Sequence, residues 1–329
     1  MYILVSAMGN LGVCLTYQAA SGIYPMLVVL MCFMLWNHGE KPNKILRFLG
    51  CSIAAYFVGL VIYKEFIMPP TNSYVSNSLP NAGRVIPVAL EHLKKYYELV
   101  YSDFKREWLV LIGLLAIGFV VSMVNASKQR KVYAAVMAIV TLFAMAALTF
   151  GAYLVLEKPL FEPRAMYGFG ALIAMVGVVT VIQENYAVRT FCVILSWSFL
   201  AFSFTYGNAL AAQKEYADFR IEAVVEDLSE LEIMKSDVQK TVQVIGSIGF
   251  APVIQNMPQD YKILKRLVPV QFRQKWTWGN YQMLHYYGLK NVRGSLAIDF
   301  KDANLPVLKD TIYHTIRSDG QNILIELKD

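Results

Sequence analysis

The chain has 329 residues, 56% of them hydrophobic and only 16% charged, with a formal net charge of +6. Soluble domains average about 45–50% apolar and about 25% charged residues, so an ordinary soluble fold is excluded for the chain as a whole. The positive residues fall between apolar runs rather than along one stripe, which argues against nucleic-acid binding.

The apolar excess is confined to residues 1–206, while residues 207–329 carry the mixed pattern of a soluble domain. The expected fold class is therefore an α-helical integral membrane protein of about seven spans with a C-terminal mixed α/β soluble domain. A span needs about 20 mostly apolar residues, because the hydrocarbon core is about 30 Å thick. Seven runs are candidate spans: Tyr2–Thr16, which is short enough to be either a truncated span or a re-entrant segment, then Ala19–Trp36, Ile45–Tyr63, Trp108–Val124, Val132–Leu156, Met166–Ile182 and Val188–Tyr206. The first basic residue is Lys41, so a cleaved signal peptide is not expected.

Lys41 and Lys44 follow the second run, Lys128, Arg130 and Lys131 follow the fourth, and Arg189 follows the sixth. If every run spans, these lie on one side, and the positive-inside rule places that side in the cytoplasm. The segment Lys64–Glu107, the loop Glu157–Arg164 and the C-terminal domain then face outward, into the periplasm of a bacterium. Within the long outer segment, Ile86, Leu90, Leu93, Tyr97, Val100 and Phe104 recur at steps of four and three, which predicts an amphipathic helix near 85–106. Such a helix either lies on the membrane surface or packs on the spans.

After Tyr206 the last span is expected to continue as a solvated helix with Ala217, Ile221, Val224, Leu228 and Leu231 on one face. Val242–Ile248 reads as a strand. Asp319-Gly320 between the β-rich runs Tyr313–Arg317 and Asn322–Leu327 predicts a hairpin.

The four cysteines, Cys14, Cys32, Cys51 and Cys192, all lie in apolar runs and read as buried small hydrophobes. The four histidines are isolated, and neither an H-E-x-x-H nor a phosphate-loop pattern occurs. No metal and no other cofactor is expected from these motifs. Gly168-Phe169-Gly170 opens a span and lacks a third glycine, so close helix packing suits it better than nucleotide binding.

The candidate chemistry gathers on the outer side. Arg164, just before the sixth span, could take a phosphate with two parallel hydrogen bonds or could anchor the helix end. Glu157 and Glu162 in the same loop could serve as a general base or could pair with Lys158 or Arg164. Tyr17 and Gln18 sit between the first two runs, where they could orient a ligand or act as boundary residues. In the soluble domain Trp276, Trp278, Tyr281, Tyr286 and Tyr287 crowd together, offering flat faces to sugar rings or to a protein core.

Three segments carry a resemblance. They are Leu11–Ala20 (LGVCLTYQAA), Phe161–Ala171 (FEPRAMYGFGA) and Phe204–Asp218 (FTYGNALAAQKEYAD). Together they resemble the Gtr type II glucosyl transferase family of bacterial membrane proteins, linked to O-antigen modification of lipopolysaccharide. The resemblance implies a C-class glycosyltransferase of the inner membrane that takes its sugar from a polyprenyl phosphate on the periplasmic side. It implies donor-phosphate binding by Arg164, substrate binding by Tyr17, Gln18 and Tyr167, and a surface polysaccharide as acceptor, with Trp276 and Trp278 as weaker acceptor candidates. The family's acidic catalytic residues are expected in an early outer loop, but the first acid here is Glu40, on the cytoplasmic side. The chain thus resembles the C-terminal two-thirds of such an enzyme, and a divalent ion held by acids of that missing loop stays open. The alternative is a non-enzymatic transporter or assembly protein for lipid-linked glycans. Proton-coupled transport would need charges in mid-span, and the runs are nearly free of them.

Overall fold

A computed structural model describes residues 1–67, 79–182, 186–231, 233, 238–257, 261–274, 276–289, 291–294 and 304–328. The chain divides into two compact units, Met1–Ala201 and Phe202–Asp329.

The first unit is helical: α1 (Tyr2–Tyr17), α2 (Ile23–Asn37), α3 (Pro42–Ile62), α4 (Val85–Asp103), α5 (Arg106–Asn125), α6 (Lys131–Leu148) and α7 (Tyr167–Ile182), with the start of α8 (Tyr186–Glu230). Among the described residues, five stretches are long and apolar enough to cross a membrane: Tyr2–Asn37, Pro42–Ile67, Arg106–Asn125, Lys131–Leu148 and Arg189–Glu230. Tyr167–Ile182 is apolar but shorter. The stretch Tyr2–Asn37 is not straight. Tyr17 is extended (φ −160°, ψ 103°), and a 3₁₀ turn, Gln18–Gly22, follows it. On α3, Phe48 meets Tyr2 and Gly59 meets Ala7 and Asn10, so α1 runs parallel to α3. Tyr24 of α2 stacks on Tyr56, while Asn37 lies next to the start of α3, so α2 runs the other way. The first two apolar runs therefore form a hairpin.

The apolar faces that the helices bury converge on α2. Met26, Leu30 and Phe33 pack with Leu115 and Phe119 of α5, Met145 of α6 and Val176 of α7. The opposite faces carry large apolar side chains outward, among them Phe57, Ile117, Val136 and Phe143. That inverted pattern suits a bundle whose surroundings are hydrocarbon. At one end the two basic turns meet: Lys128 N donates to Asn37 O (3.0 Å), and Gln129 Nε2 donates to Trp36 O (3.1 Å).

Two expected boundaries move. The run Val132–Leu156 is helical only to Leu148, because the chain kinks at Gly151 and continues as a 3₁₀ turn, Gly151–Val155. The helix expected near 85–106 is α4, but its most buried positions are Tyr96, Val100 and Asp103, with Ile86 and Leu90 exposed.

The second unit packs α8 on a five-stranded sheet of order β2-β1-β5-β4-β3. The strands are β1 (Lys240–Ile245), β2 (Val292–Gly294), β3 (Val307–Asp310), β4 (His314–Ser318) and β5 (Asn322–Leu327); short helices α9 (Pro252–Gln255), α10 (Lys262–Leu267) and α11 (Thr277–Tyr286) complete it. β1 is parallel to β2 and β5; β4 is antiparallel to β3 and β5. Ala217, Ile221, Val224 and Leu228 of α8 are fully buried against Val242, Ile316, Ile323 and Ile325, as their helical spacing requires. The expected strand Val242–Ile248 is β1, which starts two residues earlier and ends at Ile245, where the chain turns at Gly246. The expected hairpin is β4–β5. Asp319 Oδ1 accepts from Gln321 N (2.9 Å) and Asn322 N (2.7 Å), and Gly320 sits at φ 93°.

Arg220 ties this unit together from within. It is almost fully buried, lies over the rings of Tyr313 and Tyr216, and donates to Tyr216 Oη (2.5 Å), Tyr313 O (3.0 Å) and Lys328 O.

Candidate functional site

The end of the bundle opposite the basic turns gathers the residues singled out by sequence. Three backbones cross there with no room for side chains. A Cβ on Gly168, at the start of α7, would lie 2.8 Å from the Thr149 carbonyl carbon and closer still to its oxygen. A Cβ on Gly22 would lie 2.8 Å from Gly151 N, and one on Gly151 would lie 2.8 Å from Gly22 Cα. Side-chain carbons do not approach so closely, so the ends of the α1–α2 hairpin, α6 and α7 meet only because glycine stands at each crossing. Ser21 Oγ accepts from Ala152 N (3.0 Å) and adds a polar link. Gly168 thus serves helix packing, as the sequence suggested.

This crossing sets Tyr17 against Tyr167, with ring centroids 5.5 Å apart in edge-to-face contact. Beneath them Ala19, Tyr153, Leu156 and Ala165 form a small buried cluster, with Tyr17 packed on it. Ala165 is buried by the 3₁₀ turn Pro163–Ala165, and Arg164, beside it, is exposed. Gln18 opens the 3₁₀ turn that follows Tyr17 and is half-buried. Tyr17, Gln18, Arg164 and Tyr167, far apart in sequence, therefore share one end of the bundle. Glu157 and Glu162 are exposed on the connecting loop.

The structure adds residues that the sequence did not flag. Tyr153 is buried, which raises its phenol pKa; Tyr17 and Tyr63 raise it further, and Arg164 pulls it back. Tyr96 of α4 is fully buried, stacks on Phe150 (4.2 Å) and donates to Leu160 O (2.9 Å). Burial pushes its phenol well above the usual range. His92 Nδ1 lies 3.1 Å from Leu154 O, and Lys95 Nζ sits 4.1 Å over the Phe161 ring. Tyr153 lay hidden in an apolar run, and Tyr96 lay one residue off the apolar stripe.

In the second unit, Tyr281 and Tyr287 pack on the core, and Tyr287 Oη donates to Asp218 Oδ1 (2.6 Å). Trp276 is partly exposed and lies flat on Gly279, where a Cβ would strike its ring. The Trp278 side chain lies outside the described residues. Among the described residues, no group of three or more His, Cys, Asp or Glu is placed to hold a metal ion.

Long apolar helices with outward apolar faces, crossing at an end rich in phenols beside an arginine, define a multi-helix protein suited to membrane association. The chain belongs to the glucosyl transferase GtrII family, whose sequence profile matches residues 2–175. The match runs from α1 through most of α7 and so takes in the crossing and its arginine. The family is one of glycosyltransferases, which implies a sugar donor and a glycan acceptor. Comparison with curated proteins and with solved structures gives no match.

Proposed function

We propose that this chain is a membrane glycosyltransferase that moves a hexose, glucose by its family, from a polyprenyl-phosphate donor to a cell-surface glycan such as O-antigen. In this proposal α1, α2, α3, α5, α6, α7 and the first half of α8 are seven spans of a bacterial inner membrane, forming a domain over residues 1–206. The meeting of the basic turns at one end supports a cytoplasmic assignment for that end. The crossing and the domain over residues 207–329 then face the periplasm.

The observation that carries the proposal is the convergence, within the family-matched segment, of Tyr17 and Tyr167 beside Arg164 at the end of an apolar bundle. A polyprenyl phosphate presents a long hydrocarbon tail and one anionic head, and an exposed guanidinium at the end of the bundle suits that head. Tyr17, Gln18 and Tyr167 would supply aromatic faces and an amide to the sugar. Glu157 and Glu162 are the candidates for general base on the acceptor hydroxyl. Trp276 and Trp278 would meet the acceptor glycan.

The test is binding of polyprenyl-phosphate glucose to the full chain in lipid nanodiscs. A charge-assisted hydrogen bond contributes about 1.5–3 kcal/mol, so Arg164→Ala should weaken binding roughly 10- to 150-fold. Arg164→Lys should recover part of the loss, since a point charge without the fork remains. Unchanged affinity in Arg164→Ala would remove the arginine from the donor site.

A further inference from the structure

α4 makes two kinds of contact from one face, and only half of that face rests on protein. Ile86, Leu90, Tyr97 and Phe104 follow at steps of four, seven and seven residues, so all lie on one side of a helix with about 3.6 residues per turn. Toward the C-terminal end this side sits on the ends of the other helices. Tyr97 Oη donates to Ala146 O of α6 (2.9 Å), and its ring meets Phe169 of α7 (6.2 Å). Phe104 meets Phe169 (5.5 Å), Trp108 of α5 (5.7 Å) and Phe199 of α8 (6.4 Å). This side therefore looks down the bundle.

Toward the N-terminal end the same side has no such support. Ile86 is 73% exposed and Leu90 is 60% exposed. About 16 Å of helix separates Ile86 from Tyr97, so Ile86 and Leu90 stand two to three turns from the residues that rest on the other helices. Glu91, Lys94, Lys95 and Glu98 stand on the adjoining side and are exposed, with Lys95 reaching the Phe161 ring. A helix with an apolar strip facing down and lysines flanking it matches a lipid–water boundary.

We infer that the N-terminal half of α4 overhangs the bundle and rests on outer-leaflet lipid, with Ile86 and Leu90 dipped into the acyl region. The overhang also bears on the loop that carries Arg164. His92 is bonded to Leu154, Tyr96 to Leu160, and Lys95 covers Phe161, so α4 holds that loop at the depth of the lipid headgroups. The inference rests on the bundle spanning a membrane and not on sugar transfer.

The test is spin labelling of the full chain in phosphatidylglycerol-containing vesicles, with Cys14, Cys32, Cys51 and Cys192 replaced by alanine. Labels at Ile86→Cys and Leu90→Cys should relax more with oxygen, which concentrates in lipid, than with a water-soluble nickel chelate. The order should reverse at Glu91→Cys. Phe143→Cys, on the outward face of α6, is the control for spanning. A lipid signature at 143 with a water signature at 86 and 90 overturns the overhang. A water signature at 143 overturns the membrane reading instead. Ile86→Ala and Leu90→Ala variants, labelled at Lys158→Cys on the exposed part of the loop, should show the loop displaced toward water; no displacement overturns the coupling to the loop.

Discussion

Replacing Gly168 with alanine probes the crossing with a single methyl group. In an ordinary helix this change is stabilising by roughly 0.5–1 kcal/mol, because glycine loses more backbone freedom on folding. At Gly168 the added carbon would lie 2.8 Å from the Thr149 carbonyl carbon and nearer to the oxygen. The obstacle is backbone, held by the start of the 3₁₀ turn at Gly151, so no rotamer change relieves it. Overpacking against a well-set neighbour costs about 1–3 kcal/mol, and the absence of a yielding side chain puts Gly168→Ala at or above the upper end. Gly170→Ala is the matched control: it lies two residues on in the same helix, and a Cβ there meets nothing within 4 Å. For a domain of this size about 1 kcal/mol moves Tm by about 2–4 °C, so Gly168→Ala should lower the midpoint by about 6–12 °C or more, while Gly170→Ala leaves it level or slightly raised. The measurement is thermal unfolding of the detergent-solubilised chain, followed by tryptophan fluorescence and by loss of the monodisperse chromatographic peak. Equal midpoints for the two variants would refute the idea that the chain ends meet backbone to backbone.

Other consequences follow in the second unit. Arg220→Met should destabilise by about 3 kcal/mol or more in urea titration, because it strands buried carbonyls of Tyr313 and Lys328 that the guanidinium now satisfies. Gly320→Val should cost about 1–2 kcal/mol in the same titration, since φ 93° suits only glycine, whereas Gly207→Ala, with open space around it, should not lower the midpoint. Burial lowers the His314 pKa more than its 2.9 Å contact with Asp227 raises it, so the fold favours the neutral ring. The unfolded ring titrates near about 6.5. The unfolded chain then binds the extra proton first, and the His314 contribution, complete above that pH, is lost as pH falls through it. Thermal midpoints at pH 7.5 and pH 5.5 should therefore converge in His314→Gln relative to the parent chain.

Much of this architecture is legible in the sequence where a single physical requirement dominates. Helix content follows from apolar runs that satisfy their own backbone. The buried face of α8 follows from the spacing of Ala217, Ile221, Val224 and Leu228, and the β4–β5 hairpin follows from Asp319-Gly320. Tyr17 and Arg164 were legible as candidates because polar groups at the ends of apolar runs need a reason to be there. What was not legible is long-range. Hydropathy is blind to Gly151, which cuts α6 short of Leu156, because one glycine barely lowers the average of a run that also holds Leu148, Phe150, Leu154, Val155 and Leu156. The buried side of α4 takes in Val100 of the stripe but extends past it by part of a turn, to Tyr96 and Asp103. The stripe through Ile86 and Phe104 is set by the bundle end, whereas Tyr96 is buried by Phe150 and Phe161, which arrive from 54 or more residues away. Nothing in the local spacing of α4 encodes that second neighbour.

The crossing explains why a binding site at this end need not depend on a long ordered loop. A guanidinium that must meet a lipid phosphate has to be held at a fixed depth, and loops at helix ends move most readily. Here the turn bearing Arg164 is held on two sides. Ala165 is buried with Ala19 and Tyr153 on one, and Tyr96 and His92 hold Leu160 and Leu154 on the other. Those contacts come from α4 and from the turns Gln18–Gly22 and Gly151–Val155, so displacement of Arg164 requires several of them to break together. Precise placement of first contacts by surrounding groups is what binding sites require, because a small misplacement costs affinity that the charge alone cannot restore. On that view Tyr96→Phe, which deletes only the hydroxyl that grips Leu160, should weaken polyprenyl-phosphate binding without touching the ligand. Its effect should be smaller than that of Arg164→Ala and should be absent in the Arg164→Ala background. Equal losses in both backgrounds would mean that Tyr96 acts independently of the arginine.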